Sequence, residues 1–279
     1  MKEMDCKQKS DHAIGVFDYG SGGLTVVQAI AHVLPNEKFI FLADEAKVNQ
    51  KEEEETARRH KIEDALCYAN FLSEQNVKMI VVACNLMSVF AMDALQKHFD
   101  IPVVGLVQPG IDGLKDQIDC PENKKVAVFT TDMAAYLNLF SQIYEKAYPG
   151  IQVYEIGCGN LPKVIDDDLV GTAEADQEVR KCTEQTPKDI SAALLACTRF
   201  PILMDSFVKS LPVIPIIDPA KNLAAEVKHI LEKEDLTTKR VQPNDSVFYT
   251  TGNLDAFQNV AKHCIDAIPF SVKQAENLR

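Results

Sequence analysis

Two short stretches of the chain share one design and decide its fold. Residues 79–85 read MIVVACN and residues 192–198 read AALLACT, so each is an apolar run that ends in Ala-Cys and a small polar residue. Such runs are typical of buried parallel strands, and a helical pattern follows each of them. Because ligands bind at the carboxyl edge of such sheets, Cys84 and Cys197 are predicted to lie at two binding edges. The repeat indicates two similar halves that face each other.

The two cysteines have opposing interpretations. A helix N-terminus favours negative charge, so a thiol placed there is biased towards the reactive thiolate. Free cysteine is also often buried as a small hydrophobic residue. For two cysteines in matching contexts, a structural and a functional role are about equally supported by the residues alone. The eight cysteines include no C-x-x-C pair and the six histidines no H-x-x-x-H pair, so no metal site is predicted.

Composition restricts the class of partner. The net charge of −12 argues against nucleic acid and anionic membranes, because both bind positive surfaces. No apolar run is long enough to span a bilayer, and residues 1–12 lack the apolar core of a signal peptide. A cytoplasmic location is therefore expected. A length of 279 residues fits one large or two modest domains.

Strands alternate with helices along the chain, which predicts the α/β class with parallel sheets. Breaks in the pattern place one domain at residues 1–107 plus 218–279 and the second at residues 108–217. Residues 107–110 are read as one such break, because they contain Pro109 and Gly110. Continuous helices are predicted over residues 88–99, 110–118, 133–148 and 253–268. The aspartates at 166–168 are interpreted as a solvated run rather than a metal site.

A glycine-rich turn, residues 18–23 (DYGSGG), joins the first strand to the first helix. It fits neither the dinucleotide fingerprint nor the phosphate loop, so a nucleotide is not favoured. The glycines allow the backbone to approach a small ligand. Three roles are open for Asp18: contact with a substrate ammonium, assistance to a neighbouring thiol, or capping of the turn.

Two thiols at facing sheet edges are compatible with three kinds of chemistry. They could form a redox disulfide, although the spacing does not favour it, or one could be a nucleophile activated by a base. They could also act as a paired acid and base on opposite faces of a carbon centre, which would invert that centre. Such a reaction needs donors for the carbanion-like transition state, and the candidates are Asn85, Thr198, Thr130 and Thr131.

Several motifs together resemble one known family. They are residues 14–18 (IGVFD), 22–26 (GGLTV), 82–85 (VACN), 196–198 (ACT) and 248–252 (FYTTG). They are similar to the motifs of glutamate racemases, members of the cofactor-independent aspartate/glutamate racemase superfamily. The resemblance covers nearly the whole chain. It implies two flavodoxin-like parallel-sheet domains with the active site in the cleft between them, no cofactor, and a homodimer. It also implies that Cys84 and Cys197 are the acid/base thiols and Asp18 an assisting carboxylate.

The binding motifs depart from the family pattern. Asp-Ser-Gly is replaced by residues 18–20 (DYG), Pro-Tyr-Gly by residues 49–51 (NQK), Cys-Asn-Thr by residues 84–86 (CNL), and Cys-Thr-His-Tyr-Pro by residues 197–201 (CTRFP). Arg199, in place of the histidine, could favour a thiolate or pair with a substrate carboxylate. The substrate-binding residues carried over or changed in these motifs, together with the two threonines named above, are Tyr19, Asn49, Gln50, Asn85, Leu86, Thr130, Thr131, Thr198 and Arg199.

The resemblance therefore implies an isomerase, most simply a glutamate racemase that converts L-glutamate to D-glutamate for peptidoglycan. Three alternatives follow from the changed binding motifs. One is a divergent paralogue that racemises another small amino acid, and another is a non-catalytic ligand-binding or regulatory protein. The third and weakest is an enzyme of the same superfamily with another reaction on a small carboxylic acid. Retention of both cysteines favours an enzyme, because a protein that only binds a ligand needs neither thiol.

Overall fold

The computed structural model describes residues 9–45, 53–242, 245–276 and 278. The predicted site residues Asn49 and Gln50 lie outside the described residues. The chain divides into two compact units, one formed by the described residues up to Leu106 and from Leu223 onward, the other by Val107–Asn222. The second unit thus ends five residues beyond Ile217, because Pro219–Lys233 is a single helix that continues across the division.

The strands of the described chain follow short apolar runs. They are β1 (Ala13–Asp18), β2 (Phe39–Ala43), β3 (Val77–Val82), β4 (Val103–Gly105), β5 (Lys124–Thr130), β6 (Ile151–Gly157), β7 (Ile190–Leu195), β8 (Ile216–Ile217), β9 (Ser246–Thr250) and β10 (Phe270–Gln274). Every residue of β1, β2 and β3 is buried, as expected for central strands that helices cover on both faces.

Helices occupy most of the segments between these strands. They are α1 (Gly23–Val33), α2 (Glu54–Glu74), α3 (Asn85–Phe90), α4 (Met92–His98), α5 (Val107–Gln117), α6 (Asp132–Tyr136), α7 (Leu139–Ala147), α8 (Leu161–Asp166), α9 (Ala173–Thr183), α10 (Met204–Ser210), α11 (Pro219–Lys233) and α12 (Leu254–Cys264), with a 3₁₀ turn at Phe200–Leu203.

Each unit contains one parallel sheet. The first has the strand order β10-β9-β2-β1-β3-β4 and the second has the order β6-β5-β7-β8. In both, the first strand of the unit lies between the second and the third, and the pairings are parallel throughout. The predicted α/β class with two parallel sheets is confirmed. Strand β9 pairs with β2, so the end of the chain completes the first sheet.

Four predicted boundaries were wrong for local reasons. The helix predicted over 110–118 begins at Val107 instead, because a proline in the first turn of a helix lacks only an N–H that has no intrahelical partner. The helix predicted over 133–148 is interrupted before Asn138, whose φ of 49° is left-handed. The helix predicted over 88–99 is two helices that meet at Ala91. The last helix ends at Cys264, and the polar strand β10 follows it.

A buried ion pair links three separate segments of the first unit to strand β3. The Lys78 ammonium donates to Glu37, to the carbonyl of Ser10 at 2.8 Å and to the carbonyl of Leu236 at 2.8 Å. The second oxygen of Glu37 accepts the N–H of Thr238 at 2.8 Å. The Lys78 and Glu37 side chains are 0% and 1% exposed. All three ammonium protons are therefore used, which is the condition under which a buried charge is tolerated.

Candidate active site

The two cysteines lie at equivalent positions of the two sheets. Cys84 is the second residue after β3, and Cys197 is the second residue after β7. In chain order each of these strands is the third strand of its unit, and it pairs with the first strand of that unit, β1 or β5. In this strand order the chain connections diverge from the first strand, and such a switch point is where open α/β sheets bind ligands. Both cysteines are half-buried.

The helical segments that follow the two cysteines are short. Cys84 is the N-cap of α3, which has six residues, and Cys197 precedes a 3₁₀ turn rather than an α-helix. The predicted position at a helix N-terminus is confirmed for Cys84 and was wrong for Cys197, because no α-helix begins at Cys197. Ser88 fixes the turn after Cys84: its Oγ lies 2.8 Å from the Cys84 carbonyl oxygen and accepts the N–H of Leu106 at 3.1 Å.

Asp18 ends β1 and is buried, with 4% of its surface exposed. Its Oδ1 accepts the N–H of Tyr19 at 2.7 Å, which orients the carboxylate at the strand end next to β3. The glycine at 23 is required by packing here. A Cβ at that position would lie 2.8 Å from the Asp18 Cβ and 2.7 Å from the Phe41 ring. The glycine-rich turn thus serves close packing around Asp18.

Tyr19 extends from this strand end into a network of phenols and carboxylates. Its hydroxyl donates to Asp64 at 2.6 Å, and its ring meets that of Tyr68 edge-on. The Tyr68 hydroxyl donates to Asp44, which also accepts a hydrogen bond from Thr251 at 2.7 Å. Burial, and then the Asp64 carboxylate, raise the pKa of Tyr19, so it is a neutral phenol at physiological pH. Tyr19 and Cys84 pack against the same hydrophobic cluster.

Asn85 and Leu86 follow Cys84 and are both buried. The Oδ1 atom of Asn85 is buried and has no hydrogen-bond partner within the described residues. A buried amide oxygen without a partner is energetically costly, so such an atom is a natural contact for a ligand.

The corresponding edge of the second unit carries hydroxyl groups. Thr130 ends β5 and is 1% exposed, and its Oγ1 donates to the carbonyl of Ala196 at 3.3 Å. Thr131 is the N-cap of α6, and its side chain accepts the N–H of Ala134 at 3.4 Å. Thr198 is buried directly after Cys197. The backbone N–H of Ala196 donates to the Phe129 carbonyl at 2.8 Å, which holds the two strand ends together.

Arg199 forms an ion pair with the first residue of the aspartate run. Its Nη1 donates to both oxygens of Asp166 at 2.9 Å, and the two side chains are 19% and 57% exposed. Asp167 pairs with Lys163 on the surface of α8, and Asp168 has a left-handed φ of 58°. No group of three metal-ligating side chains occurs among the residues that the structure describes.

Cys158 and Cys182 are core cysteines, which pack as small hydrophobic residues. Both are buried in the hydrophobic core of the second unit, against which Cys197 packs from its edge. The hydrogen bond with Cys182, and then burial, raise the pKa of Cys158, so this thiol stays protonated. Cys84 and Cys197 differ from these core cysteines because they are half-buried at strand ends.

Comparison with known proteins identifies the family. Residues 20–227 match the family model described as Asp/Glu/Hydantoin racemase. The chain belongs to this racemase family. It is 30% identical over 272 residues to a glutamate racemase from Oceanobacillus iheyensis, covering 95% of this chain and 97% of that relative. It is 32% identical over 244 residues to one from Limosilactobacillus fermentum, covering 86% and 88%. The predicted superfamily and the enzyme class, a racemase and therefore an isomerase, are confirmed.

A solved structure of a racemase of this family has the same fold. The glutamate racemase from Francisella tularensis, in complex with D-glutamate, superposes with a TM-score of 0.84 at 27% identity. The match covers 96% of this chain and 98% of that one. No helix among the described residues is long and apolar enough to cross a membrane.

The sequence interpretation missed several residues around the Tyr19 network. Asp44, Lys61, Asp64 and Tyr68 surround its ring or its hydrogen bonds, and three of them lie on α2. Lys61 was detectable from its position. It occupies the buried face of α2 one turn from Ala57 and one turn from Ala65, where helical periodicity predicts an apolar residue.

Proposed function

We propose that this racemase converts L-glutamate to D-glutamate by proton transfer between two thiols. The proposal rests on one observation. Cys84 and Cys197 follow equivalent strands, β3 and β7, which are the third strands of their units in chain order. The relatives in the family are named glutamate racemases, and one of them was solved with D-glutamate. The product would supply peptidoglycan synthesis.

In the proposed reaction, one thiol, as the thiolate, removes the α-proton of the amino acid and becomes a thiol. The other thiol donates its proton to the opposite face of the same carbon and becomes a thiolate. No atom other than the proton is exchanged, so no cofactor is included in the mechanism. The roles reverse for the opposite enantiomer, and solvent restores the protonation states between turnovers.

The remaining site residues have supporting roles in this proposal. Asp18 would attract the substrate ammonium or assist Cys84, because β1 and β3 are neighbouring strands. Asn85 and Thr198, each beside one thiol, are the proposed polar contacts for the developing negative charge. Thr130 and Thr131 line the end of the strand next to β7. Tyr19, Leu86, Asn49 and Gln50 would shape the substrate side chain's surroundings.

The test of the function is direct measurement of inversion. Purified protein incubated with L-glutamate should produce D-glutamate until the two enantiomers are equal, as followed by circular dichroism of the amino acid. The same assay with other small amino acids separates the two enzymatic alternatives, because the phenol at position 19 favours an altered substrate. Inversion of another amino acid at a higher kcat/KM than glutamate would replace the proposal.

Asn85 gives a prediction that separates catalysis from folding. Asn85→Ala should leave the melting temperature nearly unchanged, because its Oδ1 has no partner within the described chain. It should lower kcat by about 10²-fold, as expected for loss of one group that stabilises the transition state. Ser88→Ala is the matched control, since its hydroxyl lies within hydrogen-bond distance of three backbone groups and its loss should lower the melting temperature. The reverse pattern would assign Asn85 to the scaffold.

Arg199 gives a prediction about substrate binding. Its ion pair with Asp166 is partly exposed, so Arg199→Ala should change the free energy of unfolding by less than about 1 kcal/mol. If the guanidinium also binds a substrate carboxylate, KM should rise by about 10-fold with a smaller change in kcat. Asp166→Asn removes the same ion pair but keeps the guanidinium, so its KM should stay near the wild-type value. Equal effects of the two variants would leave Arg199 only a structural role.

We also infer a cytoplasmic homodimer, which rests on the family resemblance. Light scattering during gel filtration should give a mass of about twice the 31.0 kDa of one chain.

A further inference from the structure

One lysine of the first unit is mostly buried and lies over a tyrosine ring. Lys61 is 9% exposed and lies on the inner face of α2, between Ala57 and Ala65. Within the described residues its ammonium has no hydrogen bond or ion pair, and its described contact is the Tyr19 ring, whose centroid is 4.1 Å from Nζ. A mostly buried lysine can keep its apolar stem in the interior while its ammonium stays accessible to a ligand. The cation–π contact holds the Lys61 ammonium over the ring.

The Tyr19 ring is held in place by other contacts. Its hydroxyl donates to Asp64 at 2.6 Å, and the Tyr68 ring packs against it edge-on. The backbone N–H of Tyr19 is bound by the Asp18 carboxylate at 2.7 Å. The phenol is thus a fixed surface that extends from the end of β1, and Lys61 lies over its face. This position connects the ammonium to the strand edge that carries Asp18 and Cys84.

The charges at this edge would repel an anionic substrate. Asp18, Asp44 and Asp64 supply three carboxylates, and the last two accept hydrogen bonds from the phenols of Tyr68 and Tyr19. A dicarboxylic amino acid carries one ammonium, which suits Asp18, and two carboxylates, which need a cation or other donors. Lys61 supplies a cation at this edge, held over the Tyr19 ring.

We infer that the Lys61 ammonium, held over the Tyr19 ring, binds the side-chain carboxylate of a dicarboxylic amino acid substrate. The inference deepens the proposed function and rests on it. An amino acid with its α-carbon at Cys84 and its ammonium near Asp18 extends its side chain along the Tyr19 ring. Lys61 is therefore a specificity-determining residue, which selects an acidic side chain over an amide of equal size.

The experiment compares Lys61→Met with wild type in glutamate racemisation. The expected result is a KM raised by about 10- to 100-fold, the effect of losing a charge-assisted hydrogen bond, with kcat within a few-fold of wild type. Lys61→Arg keeps the positive charge and should recover most of the loss. Lys97→Met is the matched control, because Lys97 is exposed and pairs with Asp93 on its own helix. An unchanged KM in Lys61→Met would overturn the inference.

A binding measurement on the unmodified protein keeps the inference testable if Lys61→Met does not fold. Calorimetry with D-glutamate and D-glutamine should give binding at least about 10-fold weaker for the amide, because only the carboxylate pairs with the ammonium. Equal affinities would contradict the inference. The two proposals fail differently. A wild-type protein that inverts glutamate while Lys61→Met has normal KM refutes only the role of Lys61. A wild-type protein that binds D-glutamate in a Lys61-dependent manner but inverts nothing refutes only the racemase proposal.

Discussion

Cys84→Ala and Cys197→Ala should each lower kcat/KM for glutamate inversion by at least about 10³-fold, in both directions of the reaction. Each substitution removes the group that takes or gives a proton at one face of the α-carbon. Inversion needs both faces, so either loss is sufficient. Both cysteines are half-buried at strand ends, and the change to alanine removes a single sulfur atom, so melting temperatures should remain close to that of wild type.

Cys120→Ala is the matched control for this experiment. Cys120 is exposed in the second unit and lies outside the proposed site. Its variant should keep the wild-type rate, which shows that loss of a thiol as such does not inactivate the protein. Inversion at the wild-type rate without Cys84, or without Cys197, would refute the two-thiol mechanism. Circular dichroism of the protein backbone separates such a result from misfolding.

The second large effect is expected at the buried ion pair of the first unit. Lys78→Met should lower the free energy of unfolding by about 3–5 kcal/mol, because it leaves the Glu37 carboxylate buried without its cation. It also removes the hydrogen bonds to the carbonyls of Ser10 and Leu236, which join the start of the described chain and the segment after α11 to β3. Urea unfolding followed by circular dichroism measures the loss.

A second substitution distinguishes the unpaired charge from the lost contacts. Adding Glu37→Gln to Lys78→Met removes the unpaired carboxylate and should recover part of the loss, while Glu37→Gln alone should also destabilise. Lys97→Met breaks an exposed pair four residues apart on α4 and should cost less than about 1 kcal/mol. If Lys78→Met costs no more than Lys97→Met, the buried pair does not stabilise the fold as described.

The parts of the fold that follow from local pattern were predictable. The apolar runs that end at Cys84 and Cys197 identify two strand ends, because a buried parallel strand leaves a strong signal in sequence. The polar strand β10 leaves none, since it lies at the sheet edge and most of its residues are exposed. The helix α5 was hidden by Pro109, which the first turn of a helix accepts without loss of a hydrogen bond.

The candidate site residues were predictable only where a reactive or polar side chain lies at the end of a predicted strand. Asp18, Cys84, Thr130 and Cys197 follow directly from that rule. The contacts of Tyr19 did not, because Asp64 is 45 positions away in sequence and is brought to the phenol by the packing of α2. The pairing of Arg199 with Asp166 depends likewise on tertiary structure, since 33 positions separate the two residues.

The most direct test of the account is proton NMR of L-glutamate in D₂O with the wild-type protein. Two-thiol racemisation predicts that the α-proton signal disappears as D-glutamate forms, because the proton that is delivered comes from a thiol equilibrated with solvent. It also predicts that the signal persists in the double variant that combines Cys84→Ala with Cys197→Ala. Loss of the α-proton in that double variant, or no loss in the wild-type protein, would contradict the account.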